Sequence, residues 1–247
     1  MTTTEFSNEF DIHYNSIATN NAPGLDLYEK SIYLTRAQLE IVNNYFNPKG
    51  NKYNTGFEQS SKRRNDLSEL IRNHKSTTIL SSGDGISEDS KFFKIPNNTF
   101  IIIQEKAKIK STDECINGNF VKVVPKTHDE FNVQEHNPFK NPSKKRIWRM
   151  DYYTHIGSNK NVELISPYDI GEYKMRYIIF PSPIVLTDLL LAFPTETLTI
   201  DGVSQEQTCK LNESIHREIL NRAVELATAD YKSEDLAVKT QINYRNE

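Results

Sequence analysis

The chain has 247 residues, enough for one large domain or two small ones around a real core. Its 30 Lys and Arg against 33 Asp and Glu leave a net charge of −3, which excludes a general polyanion binder and makes any nucleic-acid contact local. The two cysteines, Cys115 and Cys209, exclude a disulfide scaffold, and no apolar run reaches the roughly 18–20 residues of a membrane helix.

The N-terminal MTTTEFSNEFD has neither a basic nor an apolar leader-like stretch, so a soluble intracellular product is expected. Phe6, Phe10, Tyr14 and Ile17 recur at helical spacing and predict a helix over 5–19, stopped by Asn20-Asn21-Ala22-Pro23-Gly24. Thr35-Arg36-Ala37-Gln38 reads as a capping box, with Leu34 and Leu39 placed as its hydrophobic staple. It predicts a helix from Arg36 to about Asn47; an unbroken helix from Asp26 to Phe46 is the competing reading. Residues 49–55 form a polar linker. A third helix is expected over 57–73, with Lys62-Arg63-Arg64 as a solvated face.

From Thr77 the hydrophobic period changes to two. Strands are expected at 77–80, 92–95, 100–109, 120–125, 145–153, 162–165 and 172–180, separated by turns such as Asn117-Gly118 and Gly157-Ser158-Asn159. The cluster Ser81-Ser82-Gly83-Asp84-Gly85 lacks the lysine and following helix of a phosphate loop and reads as a turn. Thr127 to Pro142 is a polar excursion too long for a tight hairpin. A short strand over 197–200 and an Asp201-Gly202 turn precede a helix capped by Asn212. In that helix Ile215, Ile219, Ala223, Leu226 and Ala227 share a face, and Glu213/Arg217 and Glu218/Arg222 are spaced for ion pairs. The fold class is therefore α+β. Residues 1–75 form an N-terminal helical part, 76–200 a central antiparallel β-rich module, and 201–231 a helix that completes a helical bundle with the N-terminal helices. Residues 232–247 carry Leu236, Val238, Ile242 and Tyr244 in a charged background and read as an interaction arm.

The sequence offers few groupings suited to chemistry. The six histidines are scattered; His128 and His136, with Asp129, Glu130 and Glu135, lack the register of a helical metal motif, and no serine lies in a nucleophile elbow. No enzyme activity, cofactor, metal or small-molecule substrate is expected. Lys140 to Arg149 is the densest basic string. Its Lys144, Lys145, Arg146 and Arg149 are candidate interface residues toward phosphates or an acidic protein surface, although alternation on a strand splits them between two faces.

Four stretches carry a family resemblance: residues 9–46, the segments KRIWRMDYY and YKMRYIIFPSPIVL, and CKLNESIHREILNRAVELA over 209–227. Together they resemble the neck ring proteins (head-to-tail connectors or adaptors) of crAss-like short-tailed phages, over about the first 50 and last 100 residues. The resemblance implies a structural virion protein made in the host cytoplasm. Such a protein would form a homo-oligomeric ring of twelve subunits, stacked on the portal and adjoining other neck or tail rings. Genomic DNA would pass through it without sequence-specific contact, and no membrane would be involved. The alternatives are another tail or capsid accessory role, and behind it a nucleic-acid-processing or metal-dependent enzyme.

Deleting residues 232–247 is expected to leave the melting temperature of the isolated subunit nearly unchanged while impairing particle assembly. Calorimetry and particle counts check the two halves separately.

Overall fold

Helical signals at both ends of the chain and strand signals between them become two units in the computed structural model: Met1–Leu70 with Pro181–Glu247, and Ile71–Phe180. The structure describes residues 1–17, 24–46, 57–77, 79–80, 85–153, 160–194 and 197–231. The expected helix stop at 20–23, the linker 49–55, the turns at 81–84 and 157–159, and the arm 232–247 lie outside them.

In the first unit, α1 (Thr3–Ile17) and α2 (Leu27–Phe46) each open on a capping box. Thr2 Oγ1 accepts from Glu5 N–H at 3.2 Å while the Glu5 carboxylate accepts from Thr2 N–H at 2.8 Å. Asp26 and Glu29 exchange the same two bonds at 2.7 and 3.0 Å. The box expected at Thr35 and Gln38 is not one, because α2 runs through it. Inside a helix the backbone N–H groups already have partners, so Thr-x-x-Gln meets no orphan donors there. Asp26 and Glu29 do meet them, and their charges suit the positive helix end.

Thr35 and Gln38 instead hold a returning segment. Residues 181–186 run extended along α2, antiparallel to it. Leu186 N–H donates to Ser31 Oγ at 3.0 Å, Ile184 N–H donates to Thr35 Oγ1 at 3.1 Å, and Gln38 Nε2 donates to Ser182 O at 2.8 Å. Thr35 also donates to Ile184 O at 3.2 Å. Residues 31, 35 and 38 rise about 6 and then about 4.5 Å along the helix, near enough to the about 6.6 Å between alternate residues of an extended chain for side chains to take up the difference.

The helix expected over 57–73 breaks into α3 (Ser61–Asp66), flanked by single 3-10 turns at Phe57–Gln59 and Ser68–Leu70. From Ile71 the chain is a strand, because pairing with a neighbouring strand overrides local helical spacing. Asp66, fully buried, accepts from Tyr45 Oη at 2.9 Å on α2 and from Ser214 Oγ at 2.6 Å. Ser214 lies in α6 (Glu213–Tyr231), where its own N–H donates to Asn212 Oδ1 at 3.1 Å. Between them Asp188 caps a short helix, α5 (Leu189–Ala192). The strand expected over 197–200 is only the bridge Ile200–Val203 around Asp201-Gly202, both at positive φ. Ile215, Ile219 and Ala223 of α6 are fully buried, and its side chains reach both N-terminal helices. The Phe6 ring lies 5.4 Å from that of His216, and Arg222 binds Glu40 at 2.8 Å. Arg222 also pairs with Glu225 one turn on, and Glu218 with Lys62, so the expected Glu218/Arg222 pair gives way to other partners, Glu40 and Lys62 among them at long range.

The second unit is one sheet of eight strands in the order β1-β8-β4-β5-β6-β7-β3-β2. They are β1 (Ile71–Ser76), β2 (Ile79–Leu80), β3 (Ser90–Lys94), β4 (Thr99–Lys110), β5 (Phe120–Pro125), β6 (Arg146–Tyr153), β7 (Lys160–Ile165) and β8 (Asp169–Ile179). The sheet is not wholly antiparallel, because β5 and β6 pair in parallel. A parallel pair needs a crossover, and Thr127–Pro142 supplies it. Thr127 Oγ1 accepts from Glu130 N–H at 3.3 Å and caps α4 (His128–Gln134), whose Phe131 packs edge-on against Trp148 at 5.8 Å. The sheet curls on itself: Phe93 of β3 and Tyr173 of β8, with four strands between them in the order, have rings 5.8 Å apart. Ala107, Ile109, Val121, Val123, Tyr173 and Met175 belong to the apolar interior this encloses.

Thr35→Ala is expected to cost about 2 kcal/mol by leaving both polar groups of Ile184 without their partner, while Thr35→Ser retains most of the stability. Urea unfolding of the two variants checks this.

Candidate functional site

In β4 the run Gln-Glu-Lys-Ala-Lys-Ile-Lys alternates strictly. Ala107 and Ile109 point into the curl, so Lys106, Lys108 and Lys110 point out. Register then aligns further lysines with them. Lys75 of β1 pairs with Lys174 of β8, Lys174 with Lys106 of β4, and Lys106 with Lys122 of β5. Four lysines thus form one row across four adjacent strands. Like charges directly opposite each other are destabilising, and a sheet built only for stability would intersperse acids.

Few groups offset this repulsion. Phe120 of β5, 45% exposed, lies beneath the ammonium groups of Lys174, Lys106 and Lys108, at 4.6, 5.0 and 6.0 Å from its ring centroid. Glu172 binds Lys174 at 2.7 Å and Lys75 at 3.4 Å, and these two lysines hold its carboxyl below the usual range. Arg176 extends the basic face and donates to Asn73 Oδ1 at 3.1 Å. Residues 71–180 carry 17 Lys and Arg against 13 acids, a net of +4, so the rest of the chain carries −7. The near-neutral total conceals a segregation of charge.

The basic string singled out from sequence does not form such a face. Lys144 and Lys145 are exposed in the turn before β6. Arg146 is turned onto backbone carbonyls, with Nε donating to Asn141 O at 3.2 Å and Nη2 to Phe139 O, and so braces the crossover loop. Arg149 points inward, 3.3 Å from Glu105 and 3.0 Å from Asp151, with its side chain 11% exposed. Burial raises the Glu105 carboxyl above its usual range, against the pull of Arg149 and of the Tyr173 hydroxyl that donates to it at 2.8 Å. Arg146 and Arg149 are therefore structural cations, consumed by burial beside acceptors that only the fold brings near. Of the remaining candidates, Thr35, Gln38 and Asn212 serve the packing already described, and Leu236, Val238, Ile242 and Tyr244 lie outside the described residues.

The lysine row was missed, yet half of it was readable. Lys106, Lys108 and Lys110 recur at the two-residue period of one strand face, with Lys122 and Lys174 inside neighbouring strand runs. Only the register was hidden. Among the described residues no three His, Cys, Asp or Glu side chains converge as a metal site would require, and no helix is long and apolar enough to cross a membrane.

The family model described as phage tail ring protein 3/4 matches residues 1–239. Two proteins of Bacteroides phage crAss001 are similar along the chain. Ring protein 4/5 is 41% identical over 251 residues, covering 100% of both chains, and ring protein 3 is 39% identical over 228 residues, covering 92% of this chain and 95% of its own. The similarity thus runs through the central residues as well as the two ends.

Arg149→Ala is expected to destabilise the protein by about 3 kcal/mol, because it strands Glu105 as a buried acid without its cation. The variant's Glu105 pKa rises further above its unfolded value, so the native state holds the extra proton. Its stability is then highest below the unfolded pKa and is lost as pH rises toward the folded one. Melting curves at pH 5 and pH 8 check the sign, with Lys145→Ala expected to change little.

Proposed function

The chain belongs to the phage tail ring protein 3/4 family of crAss-like phages, structural proteins and not enzymes, and from that premise we propose that it forms a ring in the virion neck. In this reading twelve copies close a homo-oligomeric ring between the capsid portal and the tail, and the genome passes through its centre. The helical unit, with α6 bundled against α1 and α2, forms the ring wall. The observation that carries the reading is similarity to two ring proteins over nearly the whole chain.

A further feature supports it: a single phage carries two relatives about equally similar to this chain, as a stack of related rings would have. Lys144 and Lys145, exposed at the turn before β6, and the segment 232–247 are the proposed contacts to neighbouring subunits or rings. The family description names tail rings, which favours a position farther down the tail as the second reading.

Electron microscopy of particles carrying a small tag on this chain distinguishes the two. Density for the tag is expected as a twelve-fold ring next to the portal. A ring at the distal end of the tail selects the second reading, and label on the capsid shell overturns both.

A further inference from the structure

We propose that the outward face of β1, β8, β4 and β5 is a contact surface for the phosphate backbone of nucleic acid, engaged without regard to sequence. The proposal rests on the ring reading only for the source of that nucleic acid. The surface itself is argued from register, exposure and charge.

Lys75, Lys174, Lys106 and Lys122 stand side by side on consecutive strands, with Lys108 and Arg176 on the same face, Glu172 as the acid beside the row and Asp169 opposite Lys110 at its margin. Neighbouring strands lie about 4.8 Å apart, so the row spans about 14 Å. A duplex presents one negative charge per about 1.7 Å of its axis, so several phosphates fall within reach of a single row. The side chains carry donors and no base-reading geometry: lysine is a point charge on a flexible stem, suited to following a backbone.

An acidic protein surface is the competing partner, and the composition of the face argues against it. Protein interfaces are depleted in lysine and enriched in arginine and aromatic residues, because a buried ammonium must be desolvated and its long stem ordered. The face offers one aromatic anchor, Phe120, and its ring is already occupied by three lysines of the same subunit. Ammonium groups that remain hydrated while they displace counterions avoid both costs. Directly opposed lysines carry a repulsion in the free protein that a polyanion removes on binding, and this gives the row a reason to exist.

The test is a fluorescence-anisotropy titration of the full chain with a labelled 25-base-pair duplex of mixed sequence across a series of salt concentrations. Binding is expected to weaken steeply with salt, with a log–log slope of about −3.6 for four phosphates contacted by one subunit. The double variant Lys106→Gln/Lys122→Gln is expected to reduce that slope by about 1.8 and to bind roughly 50-fold more weakly at 0.1 M salt. Its melting temperature should be no lower than that of the parent, since it removes like-charge neighbours. Lys144→Gln/Lys145→Gln, which removes the same charge elsewhere, is expected to bind like the parent. Equal loss in both variants, or none in the first, overturns the proposal. So does salt-sensitive self-association abolished by Lys106→Gln/Lys122→Gln without duplex binding, which would assign the face to a second copy of the chain. A ring beside the portal with no duplex binding sinks this proposal and leaves the ring reading standing; duplex binding through this face with label on the capsid shell does the reverse.

Discussion

A buried extended segment whose one strand-like partner is Gln207, bridged to Val185, is the constraint on which the helical unit depends. The chain leaves that unit after Leu70 and re-enters it at Pro181; beyond the Val185–Gln207 bridge, the other backbone groups of residues 181–186 face a helix whose own backbone is already satisfied. Ser31, Thr35 and Gln38 solve this by forming a polar stripe on α2 in step with alternate residues of the segment. Cys209 Sγ adds a contact to Gln38 Oε1 at 3.3 Å, so the same side chain also ties in the approach to α6. Asp66 performs the equivalent service at the other end of α2, joining Tyr45 to Ser214 through one carboxylate. Both devices connect residues separated by more than a hundred positions, and each places polar side chains where a helical pattern alone would call for apolar ones.

The sheet unit follows a different rule, in which the two faces of one surface have opposite electrostatic duties. The inner face is mostly apolar, and its charged groups Glu105, Arg149, Asp151 and Lys91 each have an adjacent ionic partner, as burial of a charge demands. The outer face keeps its ammonium groups in solvent, where like charges are affordable only because water and salt screen them. Strand alternation alone produces the division, since neighbouring residues of β4 serve opposite faces. Glu105 is sealed inside while Lys106 stands in the exposed row. The shallow surface around Asn73, Lys75, Lys106, Lys174 and Arg176 is thus a by-product of how the interior is built, and its charge is a separate choice at each outward position.

Local sequence determined the elements whose signals are local. The stripes of α1 and α6, the Asn212 cap, most of the strands and the α+β class all follow from side-chain period and from orphan backbone groups at helix ends. The cap of α4 was legible on the same terms in Thr127-His-Asp-Glu130, as were those of α1 and α2. The true and false caps of α2 both fit the pattern, and only the position of the helix end, where N–H groups lack partners, separates Asp26 from Thr35. Tertiary structure decided everything that depends on which residues meet at long range. It turned Ile71–Ser76 from helix to strand, made β5 and β6 parallel, buried Arg149 beside Glu105, and aligned Lys75, Lys174, Lys106 and Lys122 into one row. The physical reason is that a strand's pairing energy and a charge's solvation reside in its neighbours, and a single strand carries no record of the register in which those neighbours will arrive.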